Sequence, residues 1–110
     1  MTVPEPRVQP TGYTVSCLSY DDIDSEAFSI QVDYTGHGRW AVRLRGSRCL
    51  AADGQWEWEP IPSEREDDWL TAHRFDLDTA LRLAKEQAPH VTVNGITVQQ
   101  ALARHQARQL

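Results

Sequence analysis

Residues 28–59 read FSIQVDYTGHGRWAVRLRGSRCLAADGQWEWE and alternate between apolar and polar side chains. Successive side chains of a β-strand point to opposite faces, so this alternation is typical of an antiparallel sheet with one buried face. Turn residues separate the alternating runs: glycines at 36 and 38, Gly-Ser at 46–47 and Asp-Gly at 53–54. The stretch therefore predicts a meander of strands, at 27–35, 39–45, 48–52 and 55–59.

Residues upstream of this stretch extend the sheet by one strand. Residues 13–20 are rich in β-forming side chains and are predicted to be the first strand. Residues 1–11 contain three prolines and few apolar side chains, so we expect a flexible or extended leader. An acidic loop at 21–26 follows the first strand. The chain has 110 residues, enough for one folded domain, which we assign to residues 12–110.

Helices are predicted downstream of the two prolines that end the sheet. Ser63 and Glu66 have the spacing of a capping box, which predicts a helix over 64–73. Either Asp76 or Asp78 is expected to cap a second helix, which ends at the next proline.

Residues 91–98, VTVNGITV, carry two competing signals. Asn-Gly between β-branched residues predicts a hairpin. Thr97 and Gln100 have capping-box spacing ahead of an apolar helix face. We prefer a short strand, the Asn-Gly turn and then a helix over 98–108. The predicted fold class is α+β: an antiparallel β-meander of four to five strands with two to three C-terminal helices packed on one face.

Composition limits the function. The formal net charge of −5 makes direct nucleic-acid binding an unfavoured interpretation. The sequence has no apolar run of about 18 residues and no signal-peptide pattern, so we expect a cytoplasmic protein without a membrane contact. Cys17 and Cys49 lack metal-site spacing and are predicted to be small buried apolar residues in a reducing compartment.

Arginines are concentrated in residues 39–48, which hold four of them and no acid. Three lie on one face of a predicted strand, where guanidinium groups suit a phosphate backbone or a carboxylate-rich partner. Alternatively, these arginines pair with acids on neighbouring strands, namely Asp33, Glu57 and Glu59. Both interpretations stay open at this point.

Acids are concentrated further along, where residues 57–78 hold eight of them. Those in the first turns of the predicted helix are explained by the helix macrodipole alone. The functional interpretation is an acidic ridge, residues 57–68, that imitates a nucleic-acid backbone or docks on a basic protein. The candidate partner-binding residues are Arg39, Arg43, Arg45, Arg48, Glu57, Glu59, Glu64, Asp67 and Asp68.

Metal and catalytic signals are weak. Asp22, Asp24 and Glu26 alternate but lack the glycine and distal glutamate of a calcium loop, so we predict a solvated acidic loop. The histidines are scattered without a ligand pair, and no nucleophile motif occurs. One alternative is a contact between His73 and Asp76 beside a pocket. We predict no catalytic residue, no metal and no cofactor.

Tryptophans are the remaining candidates. Trp40, Trp56 and Trp58 are predicted to form the core against a helix that carries Trp69. If Trp56 or Trp58 instead lies on an open face, it becomes the aromatic anchor of a binding surface.

Parts of the second half resemble small uncharacterised proteins of actinobacteria and their phages. The similar residues are WEWEPIPSER at 56–65, WL at 69–70, HRFD at 73–76 and VTVNG at 91–95. The resemblance implies a bacterial or phage origin and carries no activity with it.

The favoured function is a small non-enzymatic cytoplasmic interaction protein that binds a protein partner through a charged sheet face. One alternative is an acidic inhibitor that mimics nucleic acid and blocks a DNA- or RNA-binding protein. The other is a small ligand-binding or enzymatic domain with a pocket near His73. An open edge strand also predicts a homodimer formed by edge pairing.

Overall fold

The sheet and helices were analysed in a computed structural model, which describes residues 2–109. The main sheet has five antiparallel strands in the order of the chain, which confirms the predicted meander and the α+β class. Three helices and a small hairpin complete the fold. The strands of the main sheet are β1 Gly12–Val15, β2 Ile30–Gly36, β3 Arg39–Leu44, β4 Arg48–Leu50 and β5 Trp56–Trp58. The later elements are α1 Asp67–His73, α2 Leu77–Gln87, β6 Thr92–Val93, β7 Ile96–Thr97 and α3 Val98–Gln109.

The first strand is shorter than predicted and ends at Val15. Side chains in the following segment bond the local backbone: Ser16 Oγ accepts from Leu18 N at 3.1 Å, and Asp22 Oδ1 accepts from Asp24 N at 2.8 Å. Such local bonds compete with strand pairing and turn the chain out of the sheet. Residues 2–11 contain neither helix nor strand and are exposed.

One face of the sheet forms the hydrophobic core. The register places Val32 of β2 opposite both Val42 of β3 and Tyr13 of β1, and both valines are fully buried. Helix α2 packs against this face, and its Ala80 and Ala84 are fully buried there. Burying a side chain such as valine stabilises a fold by roughly 1.5–3 kcal/mol. This apolar layer therefore holds the sheet and α2 together.

Trp40 belongs to this core, as predicted. Its ring lies 5.6 Å from the Tyr13 ring and 5.2 Å from the Tyr34 ring, measured between centroids. Its backbone exchanges two hydrogen bonds with Phe75, of 2.7 and 2.9 Å, which fix the α1–α2 junction to β3. Trp58 does not belong to the core, because β5 is an edge strand and Trp58 lies opposite the exposed Arg48.

The second face of the sheet is partly covered, where the alternation predicted an open polar face. Ala41 and Cys49 point to this face and are fully buried. Helix α1 contributes the cover, since His73 and the following Arg74 are also buried and contact side chains from the β5 end. Cys49 is thus buried as predicted, whereas the same prediction is wrong for the exposed Cys17.

The predicted capping box at Ser63 and Glu66 does not form. Residues 62–64 make a 3₁₀ turn, α1 begins at Asp67, and its N-cap Glu66 makes no side-chain capping bond. Arg65 is extended between the two helical segments and donates from Nε to the Pro60 oxygen at 2.8 Å. This anchored arginine separates the turn from the helix. Helix α2, by contrast, is capped by Asp76, which accepts from Thr79 N at 2.7 Å.

Both signals predicted in residues 91–98 are confirmed, because the hairpin turn comes first and the capping box follows it along the chain. Asn94 and Gly95, both with positive φ, turn β6 into β7. Thr97 Oγ1 then accepts from Gln100 N at 3.1 Å while Gln100 Oε1 accepts from Thr97 N at 2.9 Å. This reciprocal capping box starts α3 directly after the hairpin.

The acidic loop at 21–26 is not fully solvated, contrary to the prediction. Asp22 is buried, with its Oδ2 3.4 Å from His105 Nδ1 of α3. Arg108 of α3 reaches Asp24 at 3.3 Å. The loop is therefore attached to the last helix by opposite charges.

Candidate functional site

A cluster of ion pairs lies on the covered face of the sheet, centred on Glu59. Arg43 donates to both Glu59 carboxylate oxygens at 3.1 Å, a two-pronged contact. Arg65 donates to the same carboxylate at 2.9 Å, and Arg74 donates to it at 3.3 Å. Asp33 of β2 adds a second acceptor for Arg43 at 3.4 Å. We call these five residues the Glu59 cluster.

Burial and charge act in opposite directions within the Glu59 cluster. The Glu59 side chain is 12% exposed and that of Arg74 is 2% exposed. Burial alone would raise the pKa of Glu59, but the hydrogen bond and charge of Arg43 and the charges of Arg74 and Arg65 lower it on balance. Burial lowers the pKa of Arg74 despite the nearby Glu59. The buried Arg74 therefore depends on the Glu59 carboxylate to balance its positive charge.

Aromatic rings support the cluster from α1. The Trp69 ring lies 5.1 Å from the guanidinium carbon of Arg74 and 5.8 Å from that of Arg65. The same ring stacks on His73, with 4.1 Å between centroids. These contacts of cations with an aromatic face help to fix both arginines.

His73 has a structural position. Its Nδ1 lies 2.7 Å from the Trp69 oxygen, and its Nε2 contacts Glu57 Oε2. Both ring nitrogens are thus engaged in linking α1 to β5. Asp76, the contact predicted for His73, accepts a hydrogen bond from Thr79 N instead and caps α2.

The predicted row of arginines is divided between different surfaces. For Arg43, the alternative of pairing across strands is correct, because it pairs with Asp33 and Glu59. Arg39 is exposed at the β2–β3 end, whereas Arg45 and Arg48 are exposed around the β3–β4 turn. The acids divide in the same way. Glu57 and Glu59 pair within the fold, whereas Glu64, Asp67 and Asp68 are exposed.

A second candidate surface lies around β4 and β5. The guanidinium carbon of Arg48 lies 5.4 Å from the centroid of the Trp58 ring, and Trp58 is 69% exposed. Ile61, three residues on, is 60% exposed. A groove of about 300 Å³ is lined by Arg45, Arg48 and the apolar Leu44. We call Arg45, Arg48, Trp58 and Ile61 the Arg48–Trp58 surface.

The Arg48–Trp58 surface carries two arginines that pair with no acid in the described part of the chain. Within residues 2–109, neither Arg45 nor Arg48 has an ion-pair partner. The register explains this for Arg48, which shares its face with Leu44 and Trp58 while Glu57 points to the opposite face. The surface therefore combines free positive charge with exposed apolar area.

A pocket of about 430 Å³ lies between the β2–β3 hairpin and α1. Arg39, Arg65 and Arg74 line it; His73, near which a pocket was predicted, is not a lining residue, but its neighbour Arg74 is. Sequence reasoning missed Arg65 as a pocket residue because no local pattern marks it. The exposure of Trp58 did have a signal: prolines 60 and 62 end the sheet and make β5 its edge.

The described part of the chain contains no group of three or more metal-ligating side chains arranged for an ion. No described helix is both long and apolar enough to cross a membrane. Comparisons of the chain with models of protein families, with curated proteins and with solved structures found no significant match.

Proposed function

We propose that this chain is a small non-enzymatic interaction protein that binds a protein partner through the Arg48–Trp58 surface. The observation that carries the proposal is the exposed Trp58 ring with Arg48 against it on an edge strand. Exposed aromatic and arginine side chains are the residues that contribute most to binding at protein interfaces.

The chemistry of the surface defines the partner. Arg45 and Arg48 supply charge without described ion-pair partners, while Trp58, Ile61 and the adjoining groove supply apolar area. A segment that carries carboxylates next to an aliphatic or aromatic side chain complements both features. Of the four arginines predicted to form a charged sheet face, the proposal retains Arg45 and Arg48 as partner-binding residues.

The proposed setting is the cytoplasm of a bacterium or phage-infected cell, in line with the resemblance to actinobacterial and actinophage proteins. The two free cysteines fit a reducing compartment. We propose that the exposed acids Glu64, Asp67 and Asp68 serve solubility and the start of α1.

Affinity capture from an actinobacterial lysate tests the proposal when matched variants are compared. We expect one protein to be retained by the wild type, released by salt, and lost with Trp58→Ser and Arg48→Glu. Tyr20→Ser is the matched control because Tyr20 is an aromatic residue outside the surface that is even more exposed than Trp58. If the wild type and all three variants retain the partner equally, the proposal is contradicted.

The same experiment separates the alternatives. If Asp67→Asn and Asp68→Asn abolish capture and the partner binds DNA or RNA, the chain is a nucleic-acid mimic instead. If the captured protein is a second copy of the chain, the interaction is a homodimer, and pairing along β5 becomes the interpretation to test.

A further inference from the structure

The pocket between the β2–β3 hairpin and α1 is positively charged. Three arginines line it, Arg39, Arg65 and Arg74, together with Asp67. Glu59 bonds Arg65 and Arg74 from the Glu59 cluster. The carboxylates of Asp67 and Glu59 balance two of the three arginine charges, so a net charge of one positive unit remains for a ligand.

Arg74 is held beside this pocket by contacts within the fold. Its Nη1 donates to the His73 oxygen at 2.9 Å and its Nη2 donates to Glu59 at 3.3 Å. Its Nε is buried and has no hydrogen-bond partner within residues 2–109. Arg74 therefore adds positive charge to the pocket, while Arg39 is exposed and can bond a ligand directly.

Acceptors lie on the same wall of the pocket. Asp67 and Thr71 lie one turn apart on α1 and both line the pocket, and Arg74, which also lines it, follows the end of the helix. The Thr71 hydroxyl already donates to the Asp67 backbone oxygen at 3.0 Å, so its remaining capacity is to accept. The pocket thus presents arginine donors for an oxyanion and oxygen acceptors for hydroxyl groups.

We infer that this pocket binds a small organic phosphate that also carries hydroxyl groups, such as a sugar phosphate. Arginine forks match the oxygens of a phosphate group, and Arg39 is free to contact it because it has no ion-pair partner among the described residues. Asp67 and Thr71 accept from the sugar hydroxyls. The volume of about 430 Å³ exceeds what a phosphate group alone would fill and lies in the range of small-molecule sites.

An NMR titration of the full chain tests this inference, with ribose 5-phosphate, inorganic phosphate and ribose as probes. We expect saturable amide shifts in residues 35–39 and 67–74 with ribose 5-phosphate, weaker binding of inorganic phosphate and none of ribose. Arg39→Ala should weaken ribose 5-phosphate binding about tenfold. Arg39 is exposed and outside the Glu59 cluster, so this variant should keep the wild-type melting temperature.

Arg104→Ala is the matched control, since Arg104 is exposed on α3 away from the pocket, and its binding should equal that of the wild type. The inference is overturned if ribose 5-phosphate gives no saturable shifts at about 10 mM, where even a millimolar Kd is detectable. It is also overturned if Arg39→Ala binds as tightly as Arg104→Ala. Equal affinities for ribose 5-phosphate and inorganic phosphate would overturn the assignment of an organic ligand.

Discussion

Replacing Glu59 by glutamine removes the one carboxylate that bonds three arginines on the covered face of the sheet. Glutamine keeps the shape and one acceptor oxygen but no charge. Arg74, with a side chain 2% exposed, would then be a buried cation without its counter-charge. Removing one partner of a buried ion pair typically costs about 3–5 kcal/mol. We expect the lower part of that range, about 3 kcal/mol, because Arg43 keeps Asp33 and the amide oxygen still accepts one bond.

Urea and thermal unfolding measure this loss. For a domain of this size, a loss of about 3 kcal/mol should lower Tm by roughly 12 °C or more. Glu86→Gln is the control, because Glu86 pairs with Arg82 at 2.9 Å on the exposed face of α2. Such an exposed pair contributes about 0.3–0.5 kcal/mol. If Glu59→Gln unfolds within 1 °C of Glu86→Gln, the reasoning about the Glu59 cluster is refuted.

The pH dependence of stability gives a second measure of the same cluster. Because the folded-state pKa of Glu59 is lowered, its stabilising contribution is complete above its unfolded pKa of about 4.3. That contribution is lost as the pH falls through the folded-state pKa. The wild type should therefore lose stability more steeply below about pH 4.3 than Glu59→Gln does. Parallel curves for the two proteins would contradict the assignment.

Three further predictions follow from packing, capping and burial. Trp40→Ala should lower the free energy of unfolding by about 3–5 kcal/mol in urea titrations, because it empties a buried aromatic site; an unchanged midpoint would mean that Trp40 is not in the core. Thr97→Ala should cost about 1 kcal/mol and reduce amide protection in the first turn of α3, since it removes half of the capping box; unaltered exchange there would contradict the cap. A thiol reagent should label Cys17 rapidly in the folded protein but Cys49 only on unfolding, because Cys49 is buried and this burial raises the pKa of its thiol. Fast labelling of both cysteines would contradict the covered face of the sheet.

The fold was predictable largely because its signals are local. Alternation in residues 28–59 identified the meander, and Asp76, Thr97 and Asn94 marked a helix cap, a capping box and a turn that the structure contains. Side-chain period and turn chemistry depend on neighbours in the sequence, so one chain is enough to recognise them. The first strand was overpredicted because the Ser16 and Asp22 side chains accept hydrogen bonds from the backbone N–H two residues further on, and these local bonds outweighed β-propensity.

The candidate sites were less predictable because they depend on contacts distant in sequence. Glu59 and Arg43 are 16 residues apart in the sequence and meet because β4 pairs with both β3 and β5. This pairing gives Arg43 a carboxylate partner and leaves Arg48 on the other face of the sheet. The failed capping box at Ser63 has the same origin, since Arg65 is held by Glu59 and the Pro60 oxygen. Charge segregation along the chain indicated that arginines and acids matter, but only the register assigns each one to a face.

Hydrogen exchange on the complex with the captured partner tests the proposed function most directly. The account predicts that the partner slows amide exchange in residues 44–48 and 56–61, which carry the Arg48–Trp58 surface, and leaves residues 64–68 unchanged. Protection confined to residues 64–68, with 44–48 and 56–61 exchanging as in the free protein, would contradict the account and favour the acidic mimic.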